Sequence, residues 1–426
     1  MKQLVVAFIV AIAIFGGLVS AQASVDYLGS WSLNEAEAEL IEVCERQLDI
    51  TVNYTPFSGS GVADLMTELR GLATARRLPD VFWMSSGFVD EFAADGLLYN
   101  LQPLVDRDVM PEAESWNTGA FDAARTPNKI TGDMHAFPVY FVETIMYYNK
   151  DMFDEAGLDY PTATWTWDDF LSAAQALTKD DNDDGLMDQY GYYGFGRYAH
   201  VESWVYQNGG ELLNATRDGF EPNEQAIEAI NFMNALINEH QVAPQPAEMA
   251  GLDNPFHAGL AAMWIDGSWA MNGNRDIEGL NFGISAIPRG PSWQEDIAYG
   301  WSDMVAVSAT SDDPEAAWEL VQCLAGAERT VARSGTSSIP IWRAVANSEA
   351  WLEPDQLPDN KAFLLEWANN AGPNSFTPGW GEWRGYVGGA GLQGQLDEAF
   401  NGNQTVEEAL AAATEVANTV LARFYE

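Results

Sequence analysis

Basic residues are scarce in this chain. Twenty Lys and Arg stand against 63 Asp and Glu in 426 residues, a formal net charge of −43, and five of the twenty are Lys. A surface of that sign repels phosphate backbones and anionic lipid, which excludes nucleic acid and acidic membranes as partners. The same excess of carboxylates suits a protein kept soluble in salty surroundings, where screening weakens self-repulsion, and equally an ordinary acidic secreted protein. Cysteine is scarcer still: Cys44 and Cys323 are the full complement. An oxidising compartment would permit them to pair. Both fall on apolar faces of predicted helices, and the expectation is two buried free thiols. Beyond residue 19 no apolar stretch reaches membrane-spanning length. Internal repeats and low-complexity linkers are absent. So are the phosphate-loop pattern G-x-x-x-x-G-K-[ST] and the G-x-S-x-G elbow. His135, His200, His240 and His257 are too scattered for a zinc motif. Gly389-Ala390-Gly391-Leu392-Gln393-Gly394 fits G-x-G-x-x-G, but no βαβ unit surrounds it, which removes a dinucleotide site.

What is present begins with an export signal. Lys2 precedes an apolar run from Leu4 to Val19 and then Ala21-Gln22-Ala23, a small-x-small cleavage pattern, so residues 1–23 are read as a signal peptide and the mature chain is expected to start at Ser24. Ala-Ser stands where a lipoprotein would carry Cys. The expected address is periplasmic or extracellular. About 400 further residues exceed one core and call for two or more domains. A chain with 47% hydrophobic residues, including 16 Trp, 15 Tyr and 20 Phe, can bury a large core.

The pattern along the chain is α/β. Strands are predicted at 25–28, 50–54 and 81–84, the last apolar throughout as a strand covered on both faces should be. Between them lie two amphipathic helices, one opened by a Ser32/Glu35 capping box and bearing Leu40, Ile41, Cys44 and Leu48, the other bearing Leu65, Met66 and Leu69. This βαβαβ start of a doubly wound sheet places a ligand beyond the carboxyl ends of the strands, near residues 29–31 and 85–86. A long strand follows at 139–148. Helices are predicted from the Thr166/Asp169 box, over 223–240, from Asp313-Pro314 over 314–325, and from the Thr405/Glu408 box to the C-terminus. Residues 345–400, dense in Trp, Gly and Pro, are expected to be mainly loops.

Several segments together resemble the family 1 extracellular solute-binding proteins, which include the maltose-binding protein. They are Phe137-Pro138 with Met146 to Phe153, then Ala156-Gly157-Leu158, and Trp165 to Phe170 with Ala176-Leu177-Thr178. Next come Gly259 to Trp264 with Gly267-Ser268-Trp269, then Phe282 to Pro288, Gly300 to Val307, and Pro314 to Trp318. The resemblance runs in order over nearly the whole mature chain. It implies a two-lobed periplasmic-binding-protein-like fold of type II, each lobe a sheet flanked by helices, closing like a clamp on a hinge of two or three segments. The expected lobes are 24–138 with 285–335, and 139–284 with 336–426. The hinge crossings fall near 139–143, near 284–288 and within 333–345. It also implies a receptor for an ABC importer, monomeric, needing no cofactor, with a sugar as ligand. Flat aromatic faces stack on a pyranose while carboxylates and amides take its hydroxyls.

Trp318 and Trp367, on helix faces, are read as core. Trp31, Trp269, Trp301, Trp380 and Trp383, in segments read as strand ends or loops, are the aromatic candidates for the cleft. Ser85, Ser86, Tyr140, Glu143, Asp266 and Asp303 are the polar candidates implied by the family pattern, with surface solvation or helix capping as the plainer role of each. Arg384 either orients a site carboxylate or forms an ordinary salt bridge. Asp180, Asn182 and Asp184 with the Leu186 carbonyl and Asp188 follow the opening spacing of a calcium loop. Gly191 stands at the twelfth place where an EF-hand needs Glu, so the candidate is a shortened structural calcium loop, and its alternative is a solvated acidic turn. Two other functions fit the composition: a secreted glycoside hydrolase, which needs two carboxylates flanking the scissile bond, and the same fold holding a cation such as a polyamine through Glu143, Asp266 or Asp303.

Overall fold

The structure is a computed structural model and describes residues 22–29, 35–59, 61–108, 133–182, 187–252, 254–326, 338–372, 374–387 and 389–425. Its first half-sheet is built as the hydrophobic pattern requires. Strands β1 (Ala23–Leu28), β2 (Ile50–Thr55) and β3 (Val81–Ser85) are parallel, with β1 between the other two. The crossovers run through helices α1 (Glu35–Leu48) and α2 (Val62–Thr74). All five residues of β3 are buried because elements cover the sheet on both sides.

Strand β4 (Ala136–Asn149) organises the rest. Fourteen residues of extended chain reach about 45 Å, long enough to serve two sheets. Its first half, Ala136 to Glu143, pairs antiparallel with β8 (Gly300–Val307), which in turn pairs with β3. Its second half, from Thr144, pairs with β6 (Ala261–Gly267) and β7 (Phe282–Ser285), and β6 carries β5 (Tyr190–Tyr193) in parallel. The register shifts between Pro138 and Tyr140, where proline offers no N–H to the ladder. The chain returns from the second sheet to the first between Ser285 and Gly300. A short strand β9 (Ile339–Pro340) pairs with Tyr140 and Phe141, so the first sheet keeps the chain past residue 335, where its last segment was expected to end. The result is the two-lobed α/β fold, a mixed sheet whose halves share β4 and are flanked by helices.

Local signals placed most helices. In α3 (Trp167–Leu177) Thr166 and Asp169 form the reciprocal capping box, and the backbone and hydroxyl of Thr166 hold the Asp169 carboxyl below its ordinary range. Helix α4 (Tyr198–Gln207) has no counterpart among the helices expected from the sequence: all ten residues are buried, so it shows no polar stripe against which an apolar one could be seen. Helix α5 (Glu224–Asn238) is capped by Asn223, and α6 (Pro314–Ala325) by Asp313 with Pro314 at its first position. Among the described residues the loop-rich stretch holds short helices of three to five residues, such as α7 (Trp380–Trp383), before α8 (Leu392–Phe400) and the C-terminal α9 (Val406–Tyr425).

The cysteine expectation is corrected. Cys44 on α1 and Cys323 on α6 form a disulfide, with their Cα atoms 5.9 Å apart. The two apolar faces that suggested burial pack against each other on one side of the first half-sheet, and this mutual packing brings the thiols within bonding reach.

Candidate functional site

Between the two half-sheets lies a cavity of about 340 Å³. The alternation of strands decides what faces it. Trp83 and Ser85 on β3, Trp301 and Asp303 on β8, and Val142 on β4 share one face and line the cavity. Gly61 and Val62 at the start of α2, and Phe88 in the turn after β3, complete that side. Arg197 and Tyr198 at the head of α4, and Trp269 in the turn after β6, form the opposite wall. Phe376, Trp380 and Tyr386 close it from the C-terminal segment.

The aromatic rings form one connected box. The Trp301 centroid lies 5.1 Å from Trp269 and 5.3 Å from Tyr198. Tyr198 lies 5.4 Å from Trp380 and 5.2 Å from Tyr386, and Trp380 lies 4.8 Å from Phe376. Most of these contacts are edge-on or tilted, which leaves ring faces available to something flat.

Polar groups are few and placed. Arg197 donates from Nη1 to Asp266 Oδ2 at 2.6 Å, and its guanidinium sits 5.7 Å from the Trp269 ring. Asp266 also accepts from the Gly267 N–H at 2.8 Å. Burial lifts the Asp266 carboxyl, and the guanidinium opposes that lift. Among the described residues Asp303 has no such partner, and desolvation by its surroundings pushes its carboxyl up to about 8.

Five sequence candidates therefore meet in one cavity: Ser85, Trp269, Trp301, Asp303 and Trp380. Asp266 stands behind Arg197, as the partner of a lining residue. Ser86 opens the turn that carries Phe88. Tyr140 lies opposite Asp303 on β4 but is not part of the lining. Three candidates point elsewhere. Glu143 pairs with Gly300 on the far face of β4, fully buried, and burial raises its carboxyl well above the ordinary range; it is one residue out of phase with Val142. Trp383 is buried, its indole N–H donating to Thr377 Oγ1 at 2.9 Å and its ring packed on Phe220. Arg384 takes the salt-bridge alternative: Nε and Nη2 reach both Glu202 oxygens at 2.8 and 2.9 Å, with neither side chain exposed. Trp31, Asp184 and Leu186 lie outside the described residues. In the acidic turn the Asp188 carboxylate accepts from the Asp181 N–H at 2.8 Å. Among the described residues no group of three or more His, Cys, Asp or Glu is gathered to hold a metal ion.

Arg197, Tyr198, Phe376 and Tyr386 were not expected from the sequence. Tyr198 opens the helix without a stripe, and Arg197 is the residue just before it. The others sit in a segment whose position is set by side chains far away: Arg217 donates to the Asn374 and Phe376 carbonyls, and Arg384 binds the Gly196 carbonyl as well as Glu202. Two Trp-rich clusters in the sequence, at 264–269 and 380–383, were the signal available.

A two-lobed sheet fold enclosing an aromatic box is the architecture of a binding protein. The chain belongs to the bacterial extracellular solute-binding proteins, whose family model matches residues 30–330. It is 28% identical over 211 residues to a binding protein of Brucella abortus, covering 47% of this chain and 48% of that one. The chain thus matches about half the length of such relatives. It is 25% identical over 332 residues to the galactooligosaccharide-binding protein of Bacillus subtilis, covering 74% and 72% of the two chains. Its fold superposes on an ABC substrate-binding protein of Listeria monocytogenes in complex with cycloalternan, with a TM-score of 0.81 at 22% identity over 94% of this chain and 99% of that one. A cyclic alpha-maltosyl-1,6-maltose binding protein of Arthrobacter globiformis gives 0.74 at 21% identity over 94% and 100%.

Proposed function

We propose that this chain is an exported receptor that captures a carbohydrate between its lobes and delivers it to an ABC-type importer. The observation that carries the reading is the aromatic box of Trp269, Trp301, Tyr198 and Trp380 enclosing a small set of polar groups. Sugar rings present an apolar face for stacking and a rim of hydroxyls for hydrogen bonding, and this cavity offers partners for both. The named functions of the Bacillus relative and of the superposed receptors support the same class of ligand. The passage at Glu143–Thr144, the return from Ser285 to Gly300 and the chain beyond Pro340 act as the hinge on which the lobes close. The protein works as a periplasmic or extracellular monomer that hands its ligand to permease subunits. Among the described residues no helix is long and apolar enough to cross a membrane.

Hydrolysis is the weaker reading because it requires two carboxylates at the scissile bond. Among the described lining residues Asp303 is the one carboxylic acid, since Asp266 is engaged by Arg197. The test is a thermal-shift screen of residues 24–426 against maltose, maltotriose, galactobiose, mannitol and spermidine, with product analysis of any hit. A ligand that binds only the native state raises the melting temperature by mass action. A shift with a saccharide that is recovered intact supports the receptor. Cleavage of the saccharide, or a shift with spermidine alone, would overturn it.

A further inference from the structure

Asp303 is an unusual wall residue. Its carboxyl lies on the cavity face of β8, across from Ser85 on β3 and Tyr140 on β4. No hydrogen bond or ion pair engages it among the described residues. The one cation lining the cavity, among those residues, is Arg197, and it is committed at 2.6 Å to Asp266. What surrounds Asp303 instead is aromatic: Trp301 two residues away on its own strand face, Trp83 on β3, and Tyr386 from the C-terminal segment. The titratable or charged groups facing it are Tyr140 from β4, Tyr386 beside it, and Arg197 and Tyr198 across the cavity with Asp266 behind them. Burial raises the hydroxyls of Tyr198 and Tyr386, so neither is an anion at neutral pH, and Arg197 is engaged by Asp266, so among the described residues no free positive charge stands beside the Asp303 carboxyl.

We propose that Asp303 is a specificity-determining residue that works as a neutral carboxylic acid, donating its proton to an oxygen of an uncharged, hydroxyl-bearing ligand. The proposal rests on the carbohydrate reading and names the chemistry of its polar anchor. A carboxylic acid both donates and accepts through one group, so it pairs with a sugar hydroxyl in both directions. It also places no net charge in a cavity whose other ions, Arg197 and Asp266, cancel. An amine-bearing ligand would demand the opposite: a carboxylate, present before binding.

Asp303 is half-buried on the cavity wall, and the desolvation that lifts its carboxyl to about 8 gives the assignment a sign. The folded protein keeps this proton over a range where the unfolded chain, with an ordinary Asp, has lost it. Through this group stability is therefore greatest below about pH 4, falls as pH rises, and levels off above about 8. Asp303→Asn removes the effect while keeping shape and a donor.

The experiment has two arms, one of which needs no ligand. First, melting temperatures of the wild type and of D303N are compared from pH 4 to pH 9 without ligand. The proposal expects D303N to match the wild type near pH 4 and to become progressively more stable than it toward pH 8. Parallel curves would mean that Asp303 is ionised at neutral pH and would overturn the proposal whatever the ligand. Second, the affinity for maltotriose, or for whichever saccharide of the screen binds, is measured at pH 7 and pH 9 by calorimetry. The expectation is a wild-type affinity that weakens above pH 8, a D303N affinity about three- to tenfold weaker at pH 7 with no such pH dependence, and an Asp303→Ala affinity about tenfold below that of D303N. Loss of more than about a hundredfold in D303N, or tight binding of spermidine abolished by D303N, would show that a carboxylate is required and overturn the neutral-acid assignment. If no saccharide binds the wild type although the melting curves diverge as expected, the carbohydrate reading fails and the ligand half of this proposal fails with it.

Discussion

Trp269 can fold back over the end of its own strand because residue 267 is glycine. A methyl group at that position would overlap the Trp269 indole, and the ring would have to leave the wall it shares with Trp301. Gly267→Ala is therefore expected to weaken saccharide binding by about tenfold or more while leaving the fold intact, close to the loss given by Trp269→Ala. Calorimetric titration of the two variants checks it. Arg384 acts at one remove. Its pairing with Glu202 and the Gly196 carbonyl fastens the segment bearing Trp380 and Tyr386 to the loop bearing Arg197. Arg384→Met removes the counter-ion of buried Glu202 and leaves it the Ser375 hydroxyl at 3.3 Å, a change that costs about 3–5 kcal/mol. Urea unfolding should show that loss, and the double variant with Glu202→Leu should recover much of it. Of the site residues, Ser85, Trp269, Trp301, Asp303 and Trp380 were legible in the sequence, whereas Trp83 and Val142, set on the same face by strand phase, were not singled out. Glu143 shows the limit: one step along β4 puts a side chain on the other face, and the register depends on pairing with β8, distant in sequence.

At the scale of elements, the sequence announced what was locally encoded. Capping residues located α3, α6 and α9, the helical spacing of Ile227, Ile230, Met233 and Ile237 located α5, and an unbroken apolar run located β3. It was silent on α4, which is buried all round and carries His200, Glu202, Ser203 and Gln207 into the interior. Those polar residues look like a solvated segment in one dimension, and two of them are satisfied by partners far along the chain: Glu202 by Arg384 and the Gln207 side-chain oxygen by the Ile297 N–H. The disulfide was hidden for a similar reason: Cys44 and Cys323 are 279 residues apart, and only the packing of α1 against α6 makes them neighbours. Closing so long a loop restricts the unfolded chain, and removing the bond by Cys44→Ser with Cys323→Ser should cost about 2–5 kcal/mol. Thermal unfolding of that variant, or of the wild type with a strong reductant, should show a lower melting temperature.

At the scale of the whole molecule, folding leaves a large electrostatic repulsion in place. A net charge of −43 repels itself in the compact state, and the few Arg and Lys are mostly spent on individual carboxylates such as Glu202, Asp266 and Asp296. Raising NaCl from 0.05 to 1 M shortens the screening length from more than 10 Å to about 3 Å. The melting temperature is expected to rise by several degrees over that range, and a flat or falling response would contradict a stability limited by acidic repulsion. The sheet order, with β4 shared between two halves, gives the cavity walls that belong to different lobes, so a ligand held there would touch both lobes. The most direct test is a crystal structure of the protein grown with the saccharide that stabilises it. The account predicts a sugar ring stacked within the box of Trp269, Trp301, Tyr198 and Trp380, with a hydroxyl against Asp303. A saccharide bound elsewhere, with that box empty or filled by protein side chains, would contradict it.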